Sequence, residues 1–451
     1  MTFNAALSNA LSGMTAAQTA IQVRSHNVAN AGTPGYARRE LSLDARAPSG
    51  GVIVSGIERA QAGRALGLAL SADALAGDMT ARAEAAGALN QLLGEPGDAR
   101  GLYAALTRFE TALADLAATP ESASYQEATL RGAADLAATF NRLGDGAQAL
   151  RADADAEIAA RVAEVNRALG ELDVLNERRA GPGLSDLPER RQALVDVIAE
   201  NLDIRARTDA RGRVTIATAE GVPLLGDDPN LLQFRAAGVV SAGDTTASGH
   251  LSGLSAAGIE LTPGEGPQAQ AAGRLAGLFA VRDEVAPDFA DRLDAVAEDL
   301  SVRLSSADTD GFGGLIRTTT GPGAASRVTV APGVDPGQGG ALYRLRDGLG
   351  ATASGPAAAP GVLPDLQDAL SGYAGTLETL ASSVGTARLS ADRAAEAAAS
   401  TRQSLRDDVL AQTGVNTDRE LQDLLLIEQA YAANARVVQV ASDMMQRLME
   451  L

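Results

Sequence analysis

Helical periodicity occupies both ends of the chain, with period-two patterning between, and that order calls for a nested architecture in which the ends lie side by side. From Met1 to Val23 there is no charged residue. Apolar side chains recur at Leu7, Leu11, Met14, Ala17, Ile21 and Val28, mostly three or four apart, which is the period of one helix face. The other face carries Asn, Ser, Thr and Gln, where a solvated surface helix would carry Glu, Arg or Lys. Such a face is suited to meeting protein. At the far end, Asp418 to Leu451 reads as a second helix, striped by Leu421, Leu424, Leu425, Ile427, Tyr431, Val437, Val438, Met444, Met445 and Leu448. At roughly 1.5 Å per residue it would extend about 50 Å. Its start signal is the best in the chain. Thr417 can act as N-cap while Glu420 reaches back to it, and Asp418 and Glu420 favour the positive end of the helix.

Between these ends the period changes several times. After "HNVANAGTPGYARRE" (26–40), loose alternation over Tyr36–Leu43 and Gly51–Ile57 predicts a hairpin. Asn30 can end the first helix. Thr33, Pro34, Gly35 and Tyr36 fit a type II turn, with Pro34 and Gly35 at its two central positions. Ala/Leu-rich helix follows from about Arg64 to Leu93, from Leu102 to Ala118, and from Pro120 to about Arg179. Ser185-Asp186 can cap a short helix carrying Leu194, Val197, Ile198 and Leu202. Strand patterning then runs over 203–267. Helix returns near Arg274, and Pro287 should kink it or start a new one. Turn formers dominate 309–362, and helix resumes from Leu363 to about Gln412.

The fold class expected is therefore α+β, predominantly α: a long-helix bundle formed by both chain ends, with β-rich inserted middle regions. We expect an N-terminal helix to residue 35, a hairpin plus long-helix domain over 36–202, and an inserted β-rich domain over 203–267. A returning helix spans 268–308, a β or loop region 309–362, a further helix 363–413, and the terminal helix 414–451.

Composition excludes several function classes. Every basic residue is Arg, and the net charge is -19. An acidic chain without a basic run gains no counterion-release energy from a polyanion, so nucleic acid and membrane insertion are not expected. The absence of Cys removes thiol nucleophiles, thiolate metal sites and disulfides. With His26 and His250 alone, no multi-histidine metal site can form within one chain. His250 near Ser252 does not reproduce a nucleophile elbow. "ADTDGFGGL" offers Asp308, Asp310 and Gly313 as a calcium loop would, but Phe312 and Thr319 stand where oxygen ligands are needed. Without Lys there is no Walker A lysine. No catalytic residue, cofactor or metal is expected. The N-terminus lacks the charged and continuous apolar regions of a secretory signal.

The segments Asn27, Val28, Ala29, Asn30, Thr33, Pro34, Gly35, Tyr36 and Gln429, Ala430, Tyr431, Ala433, Ala435, Arg436, Val437 together resemble the two ends of bacterial flagellar axial proteins. Within that group the chain is most similar to the hook-associated protein 1 family. "GVNTDREL" at 414–421, "GRLAGLFAVRDEV…RLD" at 273–294 and "LPERRQALVDVIAENLDI" at 187–204 carry that likeness, which covers about residues 1–310 and 365–451. Arg419 stands where the family has Glu. The resemblance implies a structural subunit exported by the flagellar type III apparatus without a cleaved signal, assembling as a ring at the hook tip, extracellular in the flagellum. Its implied partners are further copies of itself, the hook protein, a second junction protein (hook-associated protein 3) and an export chaperone. The assembly interface would comprise Leu7, Leu11, Met14, Ile21, Asn27 and Asn30 at one end, and Leu421, Leu424, Leu425, Tyr431, Val438, Met445 and Leu448 at the other. Free monomers would have mobile ends. A hook or rod subunit is the nearest alternative, and an extracellular enzyme or adhesin on an axial scaffold a more distant one.

Overall fold

The computed structural model describes residues 3–33, 35–46, 50–94, 97–178, 185–209, 211–308 and 312–449. In chain order, α1 (Phe3–Ala29) precedes a hairpin of β1 (Arg39–Ala45) and β2 (Val52–Arg59). Then come α2 (Gly63–Leu93), α3 (Leu102–Ala118), α4 (Ala123–Glu177) and α5 (Leu187–Asn201). The strands β3 (Ile204–Thr208), β4 (Val214–Thr218) and β5 (Pro223–Leu225) form one antiparallel sheet. Another is formed by β6 (Leu232–Gln233), β7 (Ser255–Ala256) and β8 (Ile259–Glu260). There follow α6 (Arg274–Ala280), a π turn over Val281–Val285, α7 (Ala286–Ser306), and the paired β9 (Ile316–Arg317) and β10 (Thr329–Val330). The chain closes with α8 (Arg344–Asp347), α9 (Leu363–Leu370), α10 (Tyr373–Thr413) and α11 (Thr417–Met449).

Two compact units emerge, and they cut across the segments expected from sequence. One comprises 1–74, 165–231 and 399–451; the other comprises 75–164 and 232–398. The boundaries fall inside α2, α4 and α10 and just before β6. The region 36–202 contributes residues to both units. The expected β-rich insert at 203–267 is likewise divided, β3–β5 joining the first unit and β6–β8 the second. The physical reason is strand length. Strands of two to five residues bury too little apolar area to form a core of their own, so each small sheet packs within its own unit.

In the second unit, α4 places Leu136, Phe140 and Leu143 at helical spacing into a core shared with Phe109 of α3, Leu293 and Leu300 of α7, and Tyr373 of α10. Burial pushes the Tyr373 phenol up, and its hydroxyl donates to the Val296 carbonyl at 2.7 Å. The turn-rich region after α7 joins this core through its described residues. Its Leu315, Ile316, Val328, Val334 and Leu345 belong to the same helical core. Pro287 sits in the first turn of α7, directly after the π turn, so it begins a helix as the sequence allows. That π turn carries Arg282, fully buried, paired with Asp155 at 2.8 Å and lying 4.7 Å from the centre of the Phe279 ring.

In the first unit, Val195 and Ile198 of α5, Ile204 and Ile216 of the sheet, and Leu172 of α4 are all buried. Arg406 of α10 joins Asp73 of α2 and Asp196 of α5. Two asparagines on α4 clasp irregular backbone onto helix. Asn176 donates to the Val214 carbonyl and accepts from its N–H at 2.8 and 2.9 Å, and Asn141, in the second unit, does the same to Val328 at 3.0 and 2.9 Å.

The joint between the chain ends

The first and last helices pair antiparallel within the first unit, since the end of α1 meets the start of α11 and Gly13 meets Asn434. At Gly13 a Cβ would lie 2.8 Å from the Asn434 amide nitrogen, so glycine is what lets the two helices approach there. Along α11 the buried or half-buried positions Glu420, Leu424, Ile427, Asn434, Val438 and Ala441 recur at helical spacing and form the face toward α1.

At the α1 end of this pair lies a polar centre. Asn27 is fully buried and all four of its side-chain hydrogen-bonding positions are filled. Its amide donates to the Arg39 carbonyl at 2.9 Å and to Glu420 at 3.1 Å; its oxygen accepts from the Arg39 N–H at 3.0 Å and from the Tyr36 hydroxyl at 2.8 Å. Glu420, 1% exposed, also accepts from Arg24 at 3.1 and 3.0 Å on its two oxygens. The same guanidinium reaches Asp423 at 3.3 Å. A carboxylate this deep is tolerable because a cation and an amide both face it.

The surrounding turn is equally tied. Asn30 follows the last residue of α1 and donates to the His26 carbonyl at 2.9 Å. Gly35 has φ 76°, the left-handed conformation required at the second central position of a type II turn, and the Tyr36 N–H reaches the Thr33 carbonyl at 3.2 Å. Pro34 lies outside the described residues. The Tyr36 hydroxyl is 2.9 Å from His26 Nδ1, and Arg39 lies 5.5 Å from the centre of the Tyr36 ring. Burial pushes the Tyr36 phenol up to about 12, so it keeps the proton it gives Asn27. Arg39 continues to Glu189 of α5 at 3.0 Å and to the Ser185 carbonyl, and Arg59 meets the same Glu189 at 3.3 Å. The Arg38 N–H donates to the Thr413 carbonyl at 2.7 Å, tying the last residue of α10 to the start of the hairpin.

Two corrections follow. Helix α11 is capped by Asn416, whose side chain accepts from the Arg419 N–H at 3.0 Å, one residue before the expected Thr417. Glu420 does not close a capping box, because its carboxylate is turned into α1, where a half-buried cation and a buried amide offer stronger bonds than an exposed backbone N–H. The apolar stripe of α11 also divides. Leu424 and Val438 are half-buried toward α1, whereas Leu421, Leu425, Tyr431 and Met445 are 50%, 60%, 37% and 42% exposed. On α1, Leu7, Met14 and Ile21 are half-buried and Leu11 is 49% exposed. The Leu448 side chain is outside the described residues. Sequence reasoning missed Arg24, Arg39, Asp423 and Asn434. Arg24 had a signal: it is the first charge in the chain, isolated at the end of an uncharged helix.

Among the described residues no helix is long and apolar enough to cross a membrane, and no cluster of potential metal ligands occurs. What the centre can do is mechanical: it holds two helices from opposite chain ends in one register against a hairpin.

Comparison with known proteins singles out the same elements. The model of the flagellar hook-associated protein FlgK helical domain matches residues 86–321. A flagella basal body rod protein model matches 7–36, and the flagellar basal body rod FlgEFG protein C-terminal model matches 407–451, which are the two segments that meet at Asn27 and Glu420. Flagellar hook-associated protein 1 of Bacillus subtilis (strain 168) is 26% identical over 235 residues, covering 48% of this chain and 46% of that protein. The chain thus spans about half the length of this curated relative. The flagellar hook junction protein FlgK from Burkholderia pseudomallei, a solved structure, shares 19% identity at a TM-score of 0.45, covering 56% of this chain and 47% of that one.

Proposed function

Since the chain belongs to the family of flagellar hook-associated protein FlgK, we propose that it is a structural subunit of the bacterial flagellum, without catalytic function, that forms the junction ring between hook and filament. The observation that carries this reading is the Asn27–Glu420–Arg24 centre. It ties the two chain ends into one pair while leaving Leu421, Leu425, Val437, Val440 and Met444 of α11 exposed. Burying an exposed Leu or Met against a neighbour is worth roughly 1.5 to 3 kcal/mol, so the outer residues of α11 supply a driving force for assembly.

In this reading α1 and α11 build the inner tube and the rest of the chain faces outward. The neighbours are further copies, hook protein on one side and hook-associated protein 3 on the other. The subunit arrives by flagellar type III export with an export chaperone and without signal cleavage. Deletion of the gene in the source bacterium should leave hooks without filaments and release filament subunit into the medium. Normal filaments in the deletion strain would sink the reading.

A further inference from the structure

We infer that the groove between α1 and the hairpin receives the outer stripe of α11 from a second copy of the chain. The inference rests on the reading of the protein as a self-assembling subunit and adds a specific seat to it. Leu7, Leu11 and Ala16 of α1 and Val52 and Val54 of β2 line this open groove, which has a volume of about 540 Å³. Leu11 is 49% exposed and Ile53, also on the lining, 46% exposed. Arg46 is the one charged residue among the described residues lining it.

The chain's own α11 does not fill this groove, because it lies on the opposite face of α1. Gly13, Arg24 and Asn27, which meet α11, share one side of the helix, and at 100° per residue Leu11 and Thr15 fall on the other. A seat for an apolar helix is therefore exposed in the same unit as an apolar helix face without a seat. Val437, Val440 and Met444 of α11 are 46%, 52% and 52% exposed and stand at i, i+3 and i+7, the anchor spacing of a helix laid in a groove. Asp443, exposed beside Met444, supplies the charge that complements Arg46. One chain offers the groove and its neighbour the helix, a head-to-tail contact that repeats around a ring.

The absence of Cys makes the test clean. Full-length Leu11→Cys chains are mixed with full-length Met444→Cys chains under conditions of self-association and treated with a short bismaleimide. The mixture should give about ten-fold more cross-linked dimer than either variant alone. Arg46→Asp should suppress the product, and Asp443→Arg on the partner chain should restore it. If copies associate but Leu11→Cys links to itself, to hook protein or to nothing, the groove assignment is overturned while the subunit reading stands. If no association occurs and the deletion strain swims with normal filaments, the subunit reading fails and the groove assignment with it.

Discussion

Asn27 on α1 and Asn141 on α4 make the same pair of hydrogen bonds in different units. Each side-chain amide donates to the carbonyl and accepts from the N–H of one residue, Arg39 for Asn27 and Val328 for Asn141, all at 2.9 or 3.0 Å. Asn176 repeats the pattern on Val214. A helix asparagine used this way acts like a peptide group at a strand edge and satisfies backbone that would otherwise be buried unpaired. The difference lies in the remaining valences. Asn27 gives its second proton to Glu420, 393 residues away, and its second lone pair to Tyr36. A generic clasp becomes a joint when a charge from the far end of the chain is added to it.

Removing the two amides should separate these roles. Asn27→Ala strands the Arg39 N–H and carbonyl, removes the acceptor of the Tyr36 hydroxyl and leaves Glu420 with Arg24 alone, and an unsatisfied buried group costs about 1 to 3 kcal/mol. We expect a loss of about 3 kcal/mol or more in chemical unfolding of the first unit. Amide exchange should quicken in the hairpin and at the start of α11 together, because one side chain holds both. If exchange quickened in the hairpin alone, the amide would be a clasp like the others. Glu420→Gln keeps an acceptor for Asn27 but removes the charge opposite Arg24. Arg24 is partly solvated, so the loss should be smaller, and it should show chiefly as weakened ring assembly.

Asn141→Ala comes next in size. It leaves two backbone groups of Val328 unpaired, so about 1 to 3 kcal/mol is expected, with faster exchange confined to the segment around β10. Assembly measured by sedimentation should be unchanged. Impaired assembly in this variant would erase the distinction between the two asparagines.

The comparison also explains which parts were legible in the sequence. Helices and hairpin follow from local periodicity, and the turn at Thr33–Tyr36 follows from residue chemistry. Even Asn27 is marked by its motif. Its partners are not, because Glu420 and Arg24 are brought together by packing, and the pattern "NTDREL" describes a capping box equally well. The choice between cap and centre depends on whether another helix brings a cation within reach, which a local pattern does not encode. The same holds for 309–362: its turn formers are visible, but its apolar residues complete the core of α3, α4, α7 and α10, a non-local fact. Gly13 is silent in sequence and informative only once Asn434 lies against it.

The smallest expected effect is a pH dependence peculiar to the joint. Burial and the nearby Arg39 guanidinium lower the His26 pKa below its ordinary 6.5, with Glu189 opposing them. Because the Tyr36 proton goes to Asn27, His26 Nδ1 must carry the hydrogen shared with the Tyr36 oxygen, which leaves Nε2 to titrate. A base with a depressed folded pKa takes up its proton more readily when unfolded. Its contribution is therefore intact above pH 6.5 and is lost as pH falls from 6.5 to the lower folded value. Exchange protection at the end of α1, taken relative to the intrinsic rate at each pH, should fall modestly as the pH drops below 6.5, and His26→Gln should flatten that change. Asn141 has no such neighbour among its hydrogen-bond partners, so exchange around Val328 should not follow the His26 titration. An identical pH response at both asparagines would assign the effect to general acid weakening rather than to the joint.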